Sequence, residues 1–260
     1  MKNIAISLSY DGSAYHGWQV QKEDATVAGT LEAALSGVCG EAIKVVGCGR
    51  TDAGVHARNY CASFKMSSGI PPDRLPQAVN GRLPGDIAVC EAIEVPAGFN
   101  AISSCIKKEY VYKILNAKTR DPFLDKRVCF YPGALDFYRF SAAASMFEGT
   151  HDFAAVRSAG NVTKTTVRTV YWCRASVRDG MISLHICANG FLYNMARTIA
   201  GTCLYAAVGK IEPEGIPALL ETRDRTLAGP TMPPHGLYLN RLWYDKPAGQ
   251  LFTQSILSVM

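Results

Sequence analysis

The chain has 260 residues, of which 48% are hydrophobic and 19% are charged, a composition typical of a folded protein that excludes a disordered one. No apolar run approaches the length that crosses a bilayer, and the N-terminal segment lacks a signal-peptide core. We therefore expect a cytoplasmic protein without membrane contact. The nine cysteines are scattered and form no Cys-x-x-Cys pair, which favours reduced thiols over disulfides or a zinc site.

The net charge of +5 is unevenly distributed along the chain. Residues 1–106 hold eight Lys and Arg against ten Asp and Glu, whereas residues 107–260 hold nineteen against twelve. Five basic residues and no acidic one lie between Arg157 and Arg178. A basic half is typical of proteins that bind a polyanion, of which nucleic acid is the commonest. A solvated basic face without a partner explains the charge equally well.

In the first half, hydrophobic patterns predict four strands, at 4–10, 43–48, 60–66 and 87–95. Thr26 is a candidate N-cap for a helix that ends at Gly40, and Pro71 and Pro72 open a second, short helix that runs toward Leu83. The resulting order, β-α-β-β-α-β, is that of the ferredoxin-like unit.

The second half predicts the same order, with strands at 110–114, 167–177, 181–188 and 237–244. Apolar stripes predict helices over 137–147 and 192–203, and Asp179-Gly180 is a strong hairpin signal. The stretch from 115 to Pro132 is predicted to be irregular. We therefore predict an α+β fold of two ferredoxin-like halves, 1–106 and 107–260, that share one extended antiparallel sheet.

The segment GRTDAGVHA, from Gly49 to Ala57, carries the clearest chemical signal. It contains Arg50 and Asp52 between two glycines, and the flanking strands predict that it is a tight loop. A neighbouring cation keeps a carboxylate ionised, and an ionised carboxylate can act as a nucleophile or a general base. The alternative is a surface Asp–Arg pair that caps a hairpin.

Five other segments occur in order around that loop. With it, they read YDGSAYHGWQVQ (10–21), GRTDAGVHA (49–57), FNA (99–101), KKEYVYKI (107–114), GFLYNMAR (190–197) and AGPTMPPHGLYL (228–239). Together they resemble the tRNA pseudouridine synthase A family over nearly the whole chain. The resemblance implies two ferredoxin-like halves around a basic cleft and isomerisation of uridine to pseudouridine at positions 38, 39 and 40 of the tRNA anticodon arm. It also implies a homodimer that needs no cofactor and no metal.

Four residues match functional positions of that family. Asp52 matches its nucleophile, Arg50 the arginine that helps to extrude the target nucleotide, and Arg197 the arginine that pairs with the aspartate. Tyr110 matches the tyrosine that packs against the target base. Extrusion suits a base that lies in a stacked arm, and an aromatic ring is a stacking surface for it. Without the family, Tyr110 is interpreted as a core aromatic residue and Arg197 as the wet face of a helix.

Two positions depart from the family pattern, and two other functions stay open. Ile102 stands where the family usually has arginine, and Glu109 interrupts the basic pair before Tyr110, which we expect to weaken phosphate contacts nearby. The first alternative is a non-catalytic RNA-binding protein with an RRM-like sheet, although the RNP1 pattern is absent. The second, a small-molecule-binding protein, leaves the basic half unexplained. The apolar tail after Gly249 has no predicted role.

Overall fold

A computed structural model describes residues 1–160, 163–245 and 248, so the apolar tail after Gly249 lies outside the described residues. Helices and strands both occur throughout the described residues, which confirms the predicted α+β class. The chain divides into two compact units, Met1–Lys107 with the described residues from Leu239 on, and Lys108–Tyr238. The predicted halves, 1–106 and 107–260, group the last strand differently and stay a prediction.

The first unit follows the order β-α-β-β-α-β. Its elements are β1 (Lys2–Tyr10), α1 (Val27–Cys39), β2 (Val46–Gly47), β3 (His56–Met66), α2 (Leu75–Asn80) and β4 (Ile87–Val95). The sheet order is β4-β1-β3, with antiparallel pairs. The short β2 and a later strand, β10 (Leu237–Tyr244), also pair with β3.

Helix α1 begins and ends where the sequence predicts. The Thr26 hydroxyl accepts a hydrogen bond from the Gly29 amide at 3.3 Å, and Gly40 closes the helix with a φ of 71°. The strand predicted over 43–48 is shorter, because side chains of α1 take its amides. The Ile43 amide donates to Ser36 Oγ at 2.9 Å, and the Val45 amide donates to Glu32 Oε1 at 3.0 Å.

The second unit is also a sheet with helices. Its elements are β5 (Cys105–Asn116), β6 (Cys129–Tyr131), α3 (Phe137–Ser145), β7 (Gly149–Asp152), β8 (Val167–Arg178), β9 (Met181–Ala188), α4 (Met195–Ala207) and α5 (Ile216–Thr222). The sheet order is β5-β9-β8-β7 with antiparallel pairs, and β6 runs parallel to β5. The predicted hairpin is confirmed, since Asp179 and Gly180 have φ angles of 50° and 75°.

Three elements of this unit were not predicted. Strand β6 lies in the stretch predicted to be irregular, and β7 and α5 also lack a clear apolar period in the sequence. The two strands have three and four residues, too few for a repeat of two to stand out. Their positions follow from pairing with β5 and β8, which are distant in sequence.

All nine cysteines are free thiols, as their spacing predicts, and eight of them are at least partly buried. Among the described residues, no helix combines the length and the apolar character that crossing a membrane requires.

Helix α4 packs closely against the segment 228–232. A Cβ atom on Gly201 would overlap the carbonyl oxygen of Pro230, and one on Gly229 would overlap the backbone of Gly201. The Gly229 amide donates to Thr202 Oγ1 at 3.0 Å, inside the core. The two backbones therefore lie in direct contact, without side chains between them.

This contact predicts that Gly201→Ala destabilises the protein. In an ordinary helix, alanine is more stable than glycine by about 1 kcal/mol. Here we expect the opposite sign, a loss of about 1–3 kcal/mol, because the added methyl group has no space. The measurement is the free energy of unfolding in denaturant. Gly85→Ala is the control, since nothing lies within 4 Å of a Cβ atom there. A Gly201→Ala protein as stable as the parent would contradict the packing argument.

Candidate functional site

In the first unit, the loop between β2 and β3 presents Asp52. Thr51 and Val55 on either side are buried, whereas Asp52 is partly exposed and Arg50 is exposed. The Val55 amide donates to the Asp52 carbonyl at 3.1 Å, and Gly54 completes the turn with a φ of 77°. The loop is thus anchored by its apolar and hydroxyl side chains, and its charged side chains reach solvent.

The segment 10–18 holds this loop from one side. The Tyr10 hydroxyl lies 2.9 Å from Thr51 Oγ1, the Trp18 amide donates to the Thr51 carbonyl at 3.2 Å, and the Gly54 amide donates to the Tyr15 carbonyl at 3.3 Å. Gly17 has a φ of 86°, and a Cβ atom there would overlap the Thr51 carbonyl oxygen. The motif YDGSAYHGWQVQ therefore supports the Asp52 loop through close backbone packing.

Stacked aromatic rings support the start of the loop. The rings of Trp18 and Tyr60 stack with centroids 4.1 Å apart, and Tyr10 lies 5.6 Å from Tyr60. The Tyr60 hydroxyl donates to the Gly49 carbonyl. Gly47 fits against these rings because it has no side chain. Rigid aromatic packing thus fixes where the loop leaves β2.

Two buried polar groups hold the neighbouring turn. The Tyr15 hydroxyl donates to Asp86 Oδ1 at 2.6 Å, and burial followed by this hydrogen bond raises the pKa of Tyr15 well above its usual value. Tyr15 therefore stays a neutral donor. His56 Nδ1 lies 3.1 Å from both the Gly12 amide and Asp11 Oδ1, so it accepts from the amide when neutral and donates to the carboxylate when protonated. His56 therefore joins the turn at Gly12 to the start of β3.

Arg50 and Asp52 are close in sequence, but the Arg50 side chain is the more exposed of the two. Among the residues that the structure describes, no ion pair or hydrogen bond of the Arg50 side chain is found. Its exposed guanidinium is therefore available to a molecule outside the chain.

In the second unit, Tyr110 lies on β5 and is 8% exposed. Its ring meets Phe191 edge to face, with centroids 4.8 Å apart and planes at 80°. Phe191 precedes α4 and belongs to the GFLYNMAR motif, but sequence reasoning gave it no role. An edge contact of this kind fixes the tilt of the Tyr110 ring.

Glu109 is buried and bonded within the second unit. Its side chain is buried, with Oε2 accepting from the Trp172 indole nitrogen at 3.1 Å and Oε1 lying 3.7 Å from His185 Nδ1. The carboxylate thus joins β5 to β8 and β9 in the sheet. Ile102, the other departure from the family pattern, is 51% exposed in the first unit.

The Arg197 guanidinium is fixed by hydrogen bonds, so its interpretation as the wet face of a helix is wrong. Its Nε donates to the Met232 carbonyl at 2.7 Å, and one terminal nitrogen donates to Asn194 Oδ1 at 2.7 Å. Asn194 in turn has a φ of 60° and donates to Ser158 Oγ at 2.9 Å. Two short polar contacts therefore define the direction of this side chain.

The segment that binds Arg197 is itself secured by a second arginine. Arg225 donates to the Gly229 carbonyl at 2.9 Å and to Thr231 Oγ1 at 3.0 Å. Tyr112, two residues after Tyr110, donates to the Pro233 carbonyl at 2.7 Å. Sequence reasoning missed these supports, although Thr231 and Pro233 lie in the quoted motif AGPTMPPHGLYL. The motif holds Arg197 and β5 in position.

The basic run Arg157–Arg178 is only partly available to a ligand. The Arg168 guanidinium donates to the carbonyls of Thr165 and Val167, and Arg174 and Arg178 lie 3.5 Å from neighbouring carboxylates. Arg174 and Arg178 are nevertheless about four-fifths exposed, so their charge faces solvent. Among the described residues, no group of three or more His, Cys, Asp and Glu is arranged to hold a metal ion.

Comparison with known proteins agrees with the motifs. A family model described as tRNA pseudouridine synthase matches residues 6–102 and 143–245. The chain is 46% identical to tRNA pseudouridine synthase A of Caldicellulosiruptor bescii over 239 residues, which is 92% of this chain and 98% of that protein. It is 43% identical to the protein of the same name from Acetivibrio thermocellus over 244 residues, 94% of this chain and all of that one. The chain therefore belongs to the tRNA pseudouridine synthase family.

Proposed function

We propose that this protein converts uridine to pseudouridine at positions 38, 39 and 40 in the anticodon arm of tRNA, with Asp52 as the nucleophile. The observation that carries the proposal is the Asp52 loop, in which a partly exposed carboxylate stands between two buried anchors, Thr51 and Val55. A carboxylate held in this way is preorganised for attack, because the loop does not need to be ordered when substrate binds.

The other three residues take the roles that the family motifs give them. Arg50, exposed and available, enters the space that the target nucleotide leaves when it is extruded. Tyr110, tilted by Phe191, offers its ring to the extruded uracil. Arg197, fixed by Met232 and Asn194, contributes positive charge to the reaction site.

The reaction balances without any second substrate. The Asp52 carboxylate adds to the nucleoside, the bond from N1 to the sugar breaks, and the uracil turns while it is held. C5 then bonds to the sugar carbon, the C5 proton leaves, N1 gains a proton, and Asp52 is released as a carboxylate. The same balance holds for attack on the base and for attack on the sugar. Substrate and product therefore have the same atoms.

The proposal also covers the oligomeric state of the protein and its cellular compartment. We infer a cytoplasmic homodimer without cofactor or metal, as the family resemblance implies. The nine free thiols suit a reducing compartment. The excess of Lys and Arg in residues 107–260 suits binding to the phosphates of tRNA.

Asp52→Asn separates catalysis from binding. The amide keeps the size of the side chain but loses the anionic oxygen, so we expect pseudouridine formation to fall by at least about a thousandfold, the scale on which loss of a nucleophile acts. Affinity for tRNA should stay within about tenfold, since binding is spread over many phosphate contacts. The measurements are pseudouridine in tRNA after digestion and the dissociation constant at fixed salt.

Asp73→Asn is the matched control, because Asp73 is an exposed carboxylate elsewhere in the first unit. It should retain parental turnover. If folded Asp52→Asn converts uridine at the parental rate, the nucleophile is another group. If the parent binds tRNA but never modifies it, the non-catalytic RNA-binding function is correct.

Gly17→Ala tests whether backbone packing positions the Asp52 loop. The added methyl group would push against the Thr51 carbonyl, and a displacement of about 1 Å costs about a hundredfold in rate. Gly40→Ala is the control, because Gly40 also has a positive φ but nothing lies within 4 Å of its Cβ position. Both variants should lose about 1–2 kcal/mol from the left-handed backbone, and Gly17→Ala should lose about 1–3 kcal/mol more from the overlap. Only Gly17→Ala should lose turnover, and equal turnover in the two variants would contradict this role.

A further inference from the structure

The second unit contains a cavity that the proposed chemistry does not use. It has a volume of about 370 Å³ and lies where the end of β5 and strand β6 meet the loop 117–128. Its apolar lining includes Leu115, Val128 and Phe130. The volume falls within the range of about 300–1,000 Å³ in which pockets bind small molecules. Neither Tyr110 nor Arg197 contributes to the lining.

The walls of this cavity are held by hydrogen bonds outside it. Leu115 pairs with Phe130 between the parallel strands β5 and β6. The Asn116 side chain donates to the carbonyls of Tyr131, at 2.9 Å, and Gly133, at 2.7 Å. The Tyr238 hydroxyl donates to the Arg127 carbonyl at 2.5 Å. The apolar surfaces therefore keep their spacing without a ligand.

The polar lining has both signs of charge. The polar lining consists of two cations, Arg120 and Lys126, two carboxylates, Asp121 and Asp125, and one imidazole, that of His235. Asp121 Oδ1 already accepts the Phe123 amide at 2.9 Å. Because the two cations balance the two carboxylates, the cavity does not suit a bare phosphate, and it is too polar for a hydrocarbon. It suits a ligand that has a flat apolar surface, N–H donors and an anionic group.

A nucleotide has all three of these features. Its base can stack on the Phe130 ring, which is 37% exposed, and its edge N–H groups can donate to Asp125. Its phosphate can accept from Arg120 and Lys126, in charge-assisted hydrogen bonds.

We propose that this cavity binds one unpaired nucleotide of the tRNA, outside the reaction site. The inference rests on tRNA as the substrate of the proposed function, but not on the role of Asp52. A free nucleoside monophosphate has the same chemistry, so the experiment has one arm for each source.

The first arm measures tRNA affinity of the full chain at several salt concentrations. Phe130→Ala should weaken binding about tenfold, as expected for the loss of one stacked base. Arg120→Gln should weaken binding and reduce the slope of log affinity against log salt by about one. Phe123→Ala and Lys118→Gln are the matched controls, since both change the same loop outside the cavity and Phe123 is 86% exposed. They should bind within about twofold of the parent.

The second arm adds GMP, AMP, CMP or UMP to the isotope-labelled protein and follows its amide signals by NMR. At least one nucleotide should shift the signals of Phe130 and His235, and Phe130→Ala should abolish these shifts. Thermal melting checks that each variant folds. Because Arg120 is exposed, Arg120→Gln still tests the proposal if Phe130→Ala does not fold.

Three results would overturn the proposal. Equal loss of tRNA affinity in the cavity variants and their controls would show diffuse charge on the loop. Shifts from mononucleotides together with unchanged tRNA affinity in Phe130→Ala and Arg120→Gln would make a free nucleotide the occupant. No NMR shifts with any mononucleotide, together with parental tRNA affinity in both cavity variants, would show that the cavity binds no nucleotide. Pseudouridine formation by the parent and by Lys118→Gln reports separately on the proposed function.

Discussion

The contact of Gly17 with the Thr51 carbonyl is the constraint on which the first unit depends. At Gly17 no side chain separates the segment 10–18 from the Asp52 loop, so hydrogen bonds from Trp18 and Gly54 can join the two backbones directly. Both backbones are already ordered by the fold, so hydrogen bonds between them need no further side-chain rotamer to be fixed. The position of Asp52 is therefore set by the chain path of a neighbouring motif and not by partners of its own carboxylate alone.

In the second unit, close packing at a glycine also positions a charged side chain, that of Arg197. Gly201 lies against the Pro230 carbonyl and brings the segment 228–232 onto α4, where the Met232 carbonyl accepts from Arg197. A carbonyl oxygen is a fixed acceptor, and a guanidinium has several donors in one plane. Two of those donors are used for position, so the direction of the charge is defined before any ligand binds. In both units, close packing at a glycine fixes the backbone, and that backbone positions the charged side chain.

The sequence predicted the parts of the fold that local patterns specify. Alternation, an N-cap and an Asp-Gly turn were enough for β1, α1 and the β8–β9 hairpin. It did not predict β6, β7 or the shortened β2, because these depend on partners far along the chain or on side chains that take backbone amides. Glu109 shows the same limit, since Trp172, its hydrogen-bond partner, is 63 residues away. From the sequence, Glu109 was expected to weaken nearby phosphate contacts, and the burial of its carboxylate could not be read from the sequence.

The roles of the four candidate site residues stay a prediction, and the residues that support them were not predicted. Asp52, Arg50, Tyr110 and Arg197 came from motif resemblance, which identifies residue types and order. Phe191, Arg225 and Gly17 act through geometry: an edge contact, hydrogen bonds to one carbonyl and one hydroxyl, and a missing Cβ atom. Such roles depend on distances between atoms in the folded chain, which the spacing of residues along a motif does not give. Under the proposed function, a substitution at a supporting residue acts on catalysis through position, whereas a substitution at Asp52 acts through chemistry. The two are distinguished by whether a residue of similar shape restores the rate. This is why glycine, for which no residue of similar shape exists, is the least replaceable support in both units.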